Sequence, residues 1–251
     1  MPQDAFLTFE ESSELVRQVR ARTPARLLVG RSGAGYPSET QIELREAHAA
    51  ARDAVRAELD LTKHLGDEFA SKWHVFEICT QAGSKQQYLL RPDLGRHLSE
   101  LSRTELVQRC ARNNRLQIAV GDGLSVTAIA AQVPPLLPLL AEGARTRGWN
   151  LGPIPLIRYC RVGILNDIGE LLDPGVAVLL IGERPGLATA ESLSAYMAYR
   201  PRAAHTDANR NLISNIHGRG VSPQDAARRI LNLALRMMDV GLSGWRIREE
   251  S

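Results

Sequence analysis

Residues 176–187 read VAVLLIGERPGL, and no other stretch constrains the fold as tightly. Val176 to Ile181 form an unbroken apolar run rich in branched side chains. Such a run leaves no face for water. It predicts a strand buried on both sides, as in a parallel sheet covered by helices. The run ends in Gly182-Glu183-Arg184-Pro185-Gly186, a glycine turn predicted to open a helix. In open α/β sheets ligands bind beyond the carboxyl ends of strands, which puts Glu183 where a ligand would sit. Pro185 fixes its own φ and restricts the turn. The stretch alone leaves two readings open: a positioned polar contact, or a surface turn that carries a Glu-Arg pair. Under either reading the turn lies outside the core, so loss of the Glu183 side chain is expected to spare the fold.

The pattern recurs upstream. Residues 116–120 and 154–159 read as strands, and residues 166–172 as a short helix. A helix over 188–199 completes a β-α-β-α-β-α order across about residues 115–200. That order predicts a parallel sheet with right-handed crossovers. The helix after the first of these strands contains Pro134, Pro135 and Pro138. Proline lacks the N–H and crowds the preceding turn, so a kink or break is expected there.

Nearer the N-terminus, residues 10–22 read as a helix, and Leu27-Leu28-Val29 as a short apolar run before a glycine-rich loop, 30–35. Ser38 is expected to cap a long helix, 39–60. Residues 74–80 and 87–91 suggest two strands joined by Ala82-Gly83-Ser84, and Thr104 a cap for a helix over 105–113. Residues 200–221 read as irregular. Residues 223–240 form a strongly amphipathic helix, with Ser222 as cap and Asp225 in its first turn. The expected class is α/β: a Rossmann-like, mostly parallel sheet flanked by helices over residues 73–251, after a mainly helical region over 1–72.

Composition narrows the function. The three cysteines, Cys79, Cys110 and Cys160, are scattered and lack CxxC spacing. That points to a reducing compartment and away from a disulfide framework or thiolate metal site. The acidic start MPQDAFLTFEESSE has no basic-then-apolar signal pattern, so a cytoplasmic chain is expected. No run is expected to reach the length needed to cross a bilayer, since the longest apolar stretches hold prolines or charges, so no membrane partner is expected. Lysine occurs only at Lys63, Lys72 and Lys85; the remaining positive charge is arginine, suited to carboxylate and phosphate. Aromatic residues make up only 5% and no basic block interleaves with them, so a nucleic-acid partner is not expected.

Three predicted strand ends carry polar groups: Asp122 and Ser125, then Arg158 to Arg161, then Glu183 and Arg184. Neighbouring strand ends lie side by side, so these groups are expected to line one crevice. The polar segment 213–218 could add hydrogen-bonding groups at its edge, or merely cap local turns. His217 has no HxH or HxxxH partner, and the other histidines are dispersed, so no metal site is expected. There is no Gly-x-Ser-x-Gly elbow and no GxGxxG after a strand. The loop at residues 30–35 is only weakly like a phosphate cradle, because it lacks Gly-Lys-Ser/Thr. The crevice thus offers no nucleophile–base pair, as expected of a binding half of something larger. The alternative is a free-standing Rossmann-like protein that binds a nucleotide or sugar phosphate.

The motifs DGLS (122–125), RYCRV (158–162), DIGE (167–170), GERPGL (182–187), ESLSAY (191–196) and ISNIH (213–217) occur in one order, after RPDLGR (91–96). As a set they resemble the small subunit of ethanolamine ammonia-lyase, over about residues 10–245. The resemblance implies an adenosylcobalamin-dependent enzyme that converts ethanolamine to acetaldehyde and ammonia by a radical route. In such an enzyme a TIM-barrel large subunit holds the substrate, and the small subunit covers the corrin from the other side. It implies a higher hetero-oligomer in which this chain is inactive alone. Cobalamin contacts are implied at Val162, Glu183 and Leu212, with no catalytic residue and no metal ligand from this chain. Many relatives carry cysteine at the position of Leu212, so a contact here would be apolar or through backbone. DxHxxG, by which some cobalamin proteins donate a histidine to cobalt, is absent, since Ile168-Gly169 follow Asp167. The implication is that the cofactor's own benzimidazole stays on cobalt. A cytoplasmic location is implied, with a bacterial microcompartment as its further setting.

Overall fold

The computed structural model describes residues 9–22, 29–186 and 189–249. Among the described residues four helices come first: α1 (Phe9–Ala21), α2 (Ser38–Arg56) and the short α3 (Leu61–Leu65) and α4 (Asp67–Lys72). Then follow β1 (Val75–Cys79), α5 (Lys85–Leu90), α6 (Glu100–Arg109), β2 (Leu116–Gly121), α7 (Val126–Thr146), β3 (Ile154–Arg158) and α8 (Ile164–Leu172). The chain continues through β4 (Val176–Gly182), β5 (Leu193–Tyr199), β6 (Asn211–Ile216) and α9 (Pro223–Val240).

Among the described residues the strands form one six-stranded sheet in the order β1-β3-β2-β4-β5-β6. β1 to β4 pair in parallel, whereas β5 and β6 run antiparallel. The sheet is therefore mixed, and the expected mostly parallel, Rossmann-like layer is corrected to a parallel portion with an antiparallel edge. Side chains alternate across the central strands. Val176, Val178 and Leu180 enter a core with α7 and α9, while Ala177, Leu179 and Ile181 enter a second core with α6 and α8. Every residue of β2 and β4 is buried, which is why both read as continuous apolar runs. Full burial of a Leu such as Leu179 or Leu180 contributes about 2 kcal/mol.

Several local expectations fail for identifiable reasons. The helix expected over 188–199 is β5, because Leu193, Ala195 and Met197 alternate into the core as strand residues do. The helix expected to open at the glycine turn is thus replaced by an antiparallel return. The strand expected over 87–91 is α5, capped by Ser84, whose hydroxyl accepts the Gln87 N–H at 3.2 Å. Residues 200–221 contain β6. The helix placed at 105–113 starts earlier, at Glu100, because Ser99 rather than Thr104 caps it. Ser38 is the first residue of α2 and supplies no side-chain cap. α9 matches its expected ends, with the Ser222 hydroxyl accepting the Asp225 N–H. Leu27 and Leu28 lie outside the described residues, as do Leu187 and Ala188.

α7 runs unbroken through Pro134, Pro135 and Pro138. Complete burial of Val133, Leu136, Leu137 and Leu140 offsets the lost backbone bonds. α7 is also, among the described residues, long and apolar enough to cross a membrane by length and composition, contrary to the sequence expectation. Its apolar face is spent on the sheet and on α9.

Candidate functional site

The loops after β2, β3 and β4 meet at one end of the sheet, with the start of β5 and the end of β6 beside them. Their meeting depends on backbone that few residues tolerate. Gly123 has φ +56°, and a Cβ there would lie 2.2 Å from the Gly182 carbonyl oxygen. The Leu124 N–H donates to that same oxygen at 3.1 Å. Tyr159 and Asn215 also adopt left-handed φ, at 59° and 62°. Non-glycine residues hold that conformation only when their surroundings dictate it.

For Tyr159 the dictating group is Asp122. Its carboxylate accepts the Tyr159 N–H at 2.9 Å and the Cys160 N–H at 2.8 Å. Lys85 Nζ lies 3.6 Å away; both side chains are under 10% exposed, and the amine has no hydrogen-bond partner among the described residues. Burial pushes the Asp122 carboxyl above its ordinary value, opposed by Lys85 and by the backbone N–H groups. Burial and then the Asp122 charge likewise push the Cys160 thiol well up, so it stays protonated. Asp122 is thus a buried anchor and does not line the crevice. Ser125 is also buried, capping α7 and donating to the Ala190 carbonyl at 2.5 Å.

The anchored loop presents Arg161 and Val162 to a cleft of about 370 Å³. β4 and its turn contribute Gly182, Glu183 and Arg184; β5 contributes Ser194 and Tyr196; β6 contributes Leu212 and Ser214. Val162, Glu183 and Leu212, far apart in sequence, therefore line one cleft. Leu212 is 44% exposed at its mouth.

Glu183 is held on three sides. Ser192 Oγ donates to Oε2 at 2.6 Å, Ser194 Oγ to Oε1 at 2.5 Å, and the Asn215 N–H to Oε1 at 3.0 Å. This carboxylate thus ties the end of β4 to β5 and β6. Ser192 was placed on a helix by the sequence reading; in the strand pairing of this edge, Ser192 and Ser194 stand two apart and reach the same acceptor. Arg161 lies with its guanidinium 4.3 Å from the Tyr88 ring centroid, and its Nε is buried without a hydrogen-bond partner among the described residues. Tyr88, set by α5, was missed because that segment reads as a strand.

Other candidates stand apart from the cleft. Arg158 pairs with Glu58 at 3.2 Å. His217 is buried against Asn215 Oδ1 at 2.7 Å, and its other ring nitrogen accepts the Arg219 N–H. Residues 32–35 form an exposed turn closed by a Ser32–Gly35 bridge. No group of three or more potential metal ligands occurs among the described residues.

Comparison with known families decides what this arrangement belongs to. The family described as ethanolamine ammonia-lyase light chain matches residues 13–248. The chain belongs to the ethanolamine ammonia-lyase light chain family. Among curated members, the ethanolamine ammonia-lyase small subunit of Clostridium perfringens is 41% identical over 92% of this chain and 76% of its own length. That of Clostridioides difficile is 39% identical over 93% of this chain and 78% of its own. That of Clostridium acetobutylicum is 35% identical over 96% and 97%. The cleft is thus a feature of a light chain from a lyase family, and the words "small subunit" in these relatives' names imply a larger partner.

Proposed function

We propose that this chain is the small subunit of an adenosylcobalamin-dependent ethanolamine ammonia-lyase, and that its cleft forms one half of the cobalamin site, closed by the large, TIM-barrel subunit of a higher hetero-oligomer. Residues 73–251 are the cobalamin-binding unit in this reading, and residues 1–72 a helical region preceding it. The three free cysteines suit a reducing, cytoplasmic setting, whether or not a microcompartment shell surrounds the complex.

The observation that carries the reading is the convergence of Val162, Glu183 and Leu212 on one cleft. The donor set fits the group. A corrin is fringed by amides, which need fixed acceptors and donors, and the residues lining the cleft supply the Glu183 carboxylate, the Ser214 hydroxyl and the Arg161 guanidinium. At about 370 Å³ the open cleft accommodates part of so large a molecule, which leaves the rest to a second subunit. Among the described residues that line the cleft there is no histidine.

Bound, adenosylcobalamin supplies the radical that starts conversion of ethanolamine to acetaldehyde and ammonia. The work of this chain is to bind and orient. Glu183, fixed by Ser192, Ser194 and Asn215, offers an acceptor that does not have to reorganise on binding. Val162 and Leu212 present apolar surface that keeps water from the covered face. Among the described residues that line the cleft there is no nucleophile–base pair.

Reconstitution tests the proposal. The purified chain alone is expected to show no turnover, and activity is expected on adding a family large subunit with adenosylcobalamin. Turnover by the chain alone, or nucleotide binding without any cobalamin effect, would replace this reading with the free-standing nucleotide-binding alternative.

A further inference from the structure

Among the described residues, Arg161 is the cation of the cleft floor whose charge no carboxylate answers. Lys85 faces Asp122 at 3.6 Å, and Arg184 is exposed to water. The two nearby carboxylates are already engaged: Asp122 by Lys85 and two backbone N–H groups, Glu183 by Ser192, Ser194 and Asn215. Arg161 itself makes no salt bridge and no side-chain hydrogen bond among the described residues, and its Nε is buried.

Its position is nevertheless built. The Arg161 N–H donates to the Gly95 carbonyl at 2.8 Å. The guanidinium lies against Tyr88, whose hydroxyl donates to the Cys160 carbonyl at 3.0 Å. A Cβ at Gly95 would come within 2.8 Å of the Arg161 Cγ, so the absence of a side chain at 95 makes room for the arginine stem. A guanidinium taken partly from water, held in place and left without an anion is costly unless a ligand brings one.

We propose that Arg161 is the anion-recognition residue of the cleft, and that it takes the phosphodiester in the nucleotide tail of cobalamin. This rests on the cofactor site proposed above. The amide side chains of the corrin carry no charge, whereas the tail phosphate does, and a planar fork of N–H donors matches phosphate oxygens. Arg161 thereby distinguishes complete cobalamins from corrinoids that lack the tail.

The test uses the reconstituted complex and three probes: hydroxocobalamin, cobinamide phosphate, and cobinamide, which has neither phosphate nor base. Binding is read from absorbance changes and equilibrium dialysis, with no turnover required. Arg161→Gln is expected to weaken the first two on the order of 10- to 100-fold, the range of a charge-assisted hydrogen bond, and cobinamide less than about 2-fold. Arg161→Lys, a point charge without the fork, is expected to recover part of the loss. Equal losses on all three probes, or no loss on any, overturn the proposal. So does weaker subunit association without cobalamin, which would make the anion a carboxylate of the partner. The underlying site has its own control. If Glu183→Gln and Leu212→Asp leave all three affinities unchanged, the cleft is not the cobalamin site at all, whatever Arg161 does.

Discussion

The two ends of the sheet are both charged, and they hold their charges differently. At the cleft end, Asp122 and Lys85 are each under 10% exposed and stand 3.6 Å apart. At the other end, Asp173 pairs with Arg202 while both side chains remain about 30–40% exposed. A buried pair is expensive to desolvate, and breaking it strands the survivor; an exposed pair is screened by water and contributes little. The protein therefore buries both members of a pair under the cleft, where three loops must be held in register, whereas at the opposite end the partner acids of Arg202 and of the buried Arg210, Asp173 and Asp207, stay within reach of water.

The largest effect follows from removing the buried anchor. Asp122→Ala strands Lys85 and leaves the Tyr159 and Cys160 N–H groups without their acceptor. A loss of about 3–5 kcal/mol is expected in urea unfolding. Asp122→Leu combined with Lys85→Met is expected to lose less than Asp122→Ala, since no charge is left buried. A single-variant loss below about 1 kcal/mol would erase the contrast between the two ends.

Glu183 sits between these extremes and revises a sequence expectation. Read as a turn outside the core, it promised little effect on folding. In the structure it joins β4, β5 and β6 through Ser192, Ser194 and Asn215. Glu183→Ala is expected to cost about 1–3 kcal/mol, because it leaves nearly buried hydroxyls unpaired. Glu183→Gln keeps an acceptor and the shape, and is expected to cost less. Equal unfolding midpoints for wild type and both variants would return Glu183 to a surface role.

What the sequence made legible follows the same physics. β2 and β4 were readable because both of their faces are buried, and continuous apolar runs have few alternatives. β5 was not, because an α/β rhythm predicts a helix after β4, and ESLSAYMAY carries polar residues on one side. The signal was there: Leu193, Ala195 and Met197 repeat every second residue, a strand period. β6 hides better, since only Ile213 and Ile216 are buried, and a register shift against β5 breaks the alternation. Val162, Glu183 and Leu212 came from a resemblance in ordered motifs, and composition alone would not have grouped them. Arg161 was among the polar strand ends, yet its missing partner is visible only once Asp122 and Glu183 are seen to be engaged elsewhere.

The smallest effect belongs to the opposite end and is a matter of pH. Burial first, then the Arg202 and Arg210 cations, hold His205 below its ordinary 6.5, with Glu170 opposing. Its Nδ1 accepts the Arg202 N–H at 3.3 Å, an interaction that a protonated ring cannot make. In the unfolded chain the imidazole takes up its proton near pH 6.5, before the folded chain does. The unfolded state thus binds more protons in that interval, and stability falls as pH drops from 6.5 through the folded value; above it His205 adds no slope. His205→Asn keeps an acceptor for the Arg202 N–H and cannot be protonated, so its stability profile between pH 5 and 7 is expected to be flatter than that of the wild type. Because the ring is only half-buried, the difference should be smaller than either effect at the cleft end. Parallel profiles for the two proteins would show that this end carries no proton-linked stability, whereas a slope larger than the Glu183 effect would reverse the ranking of the two ends.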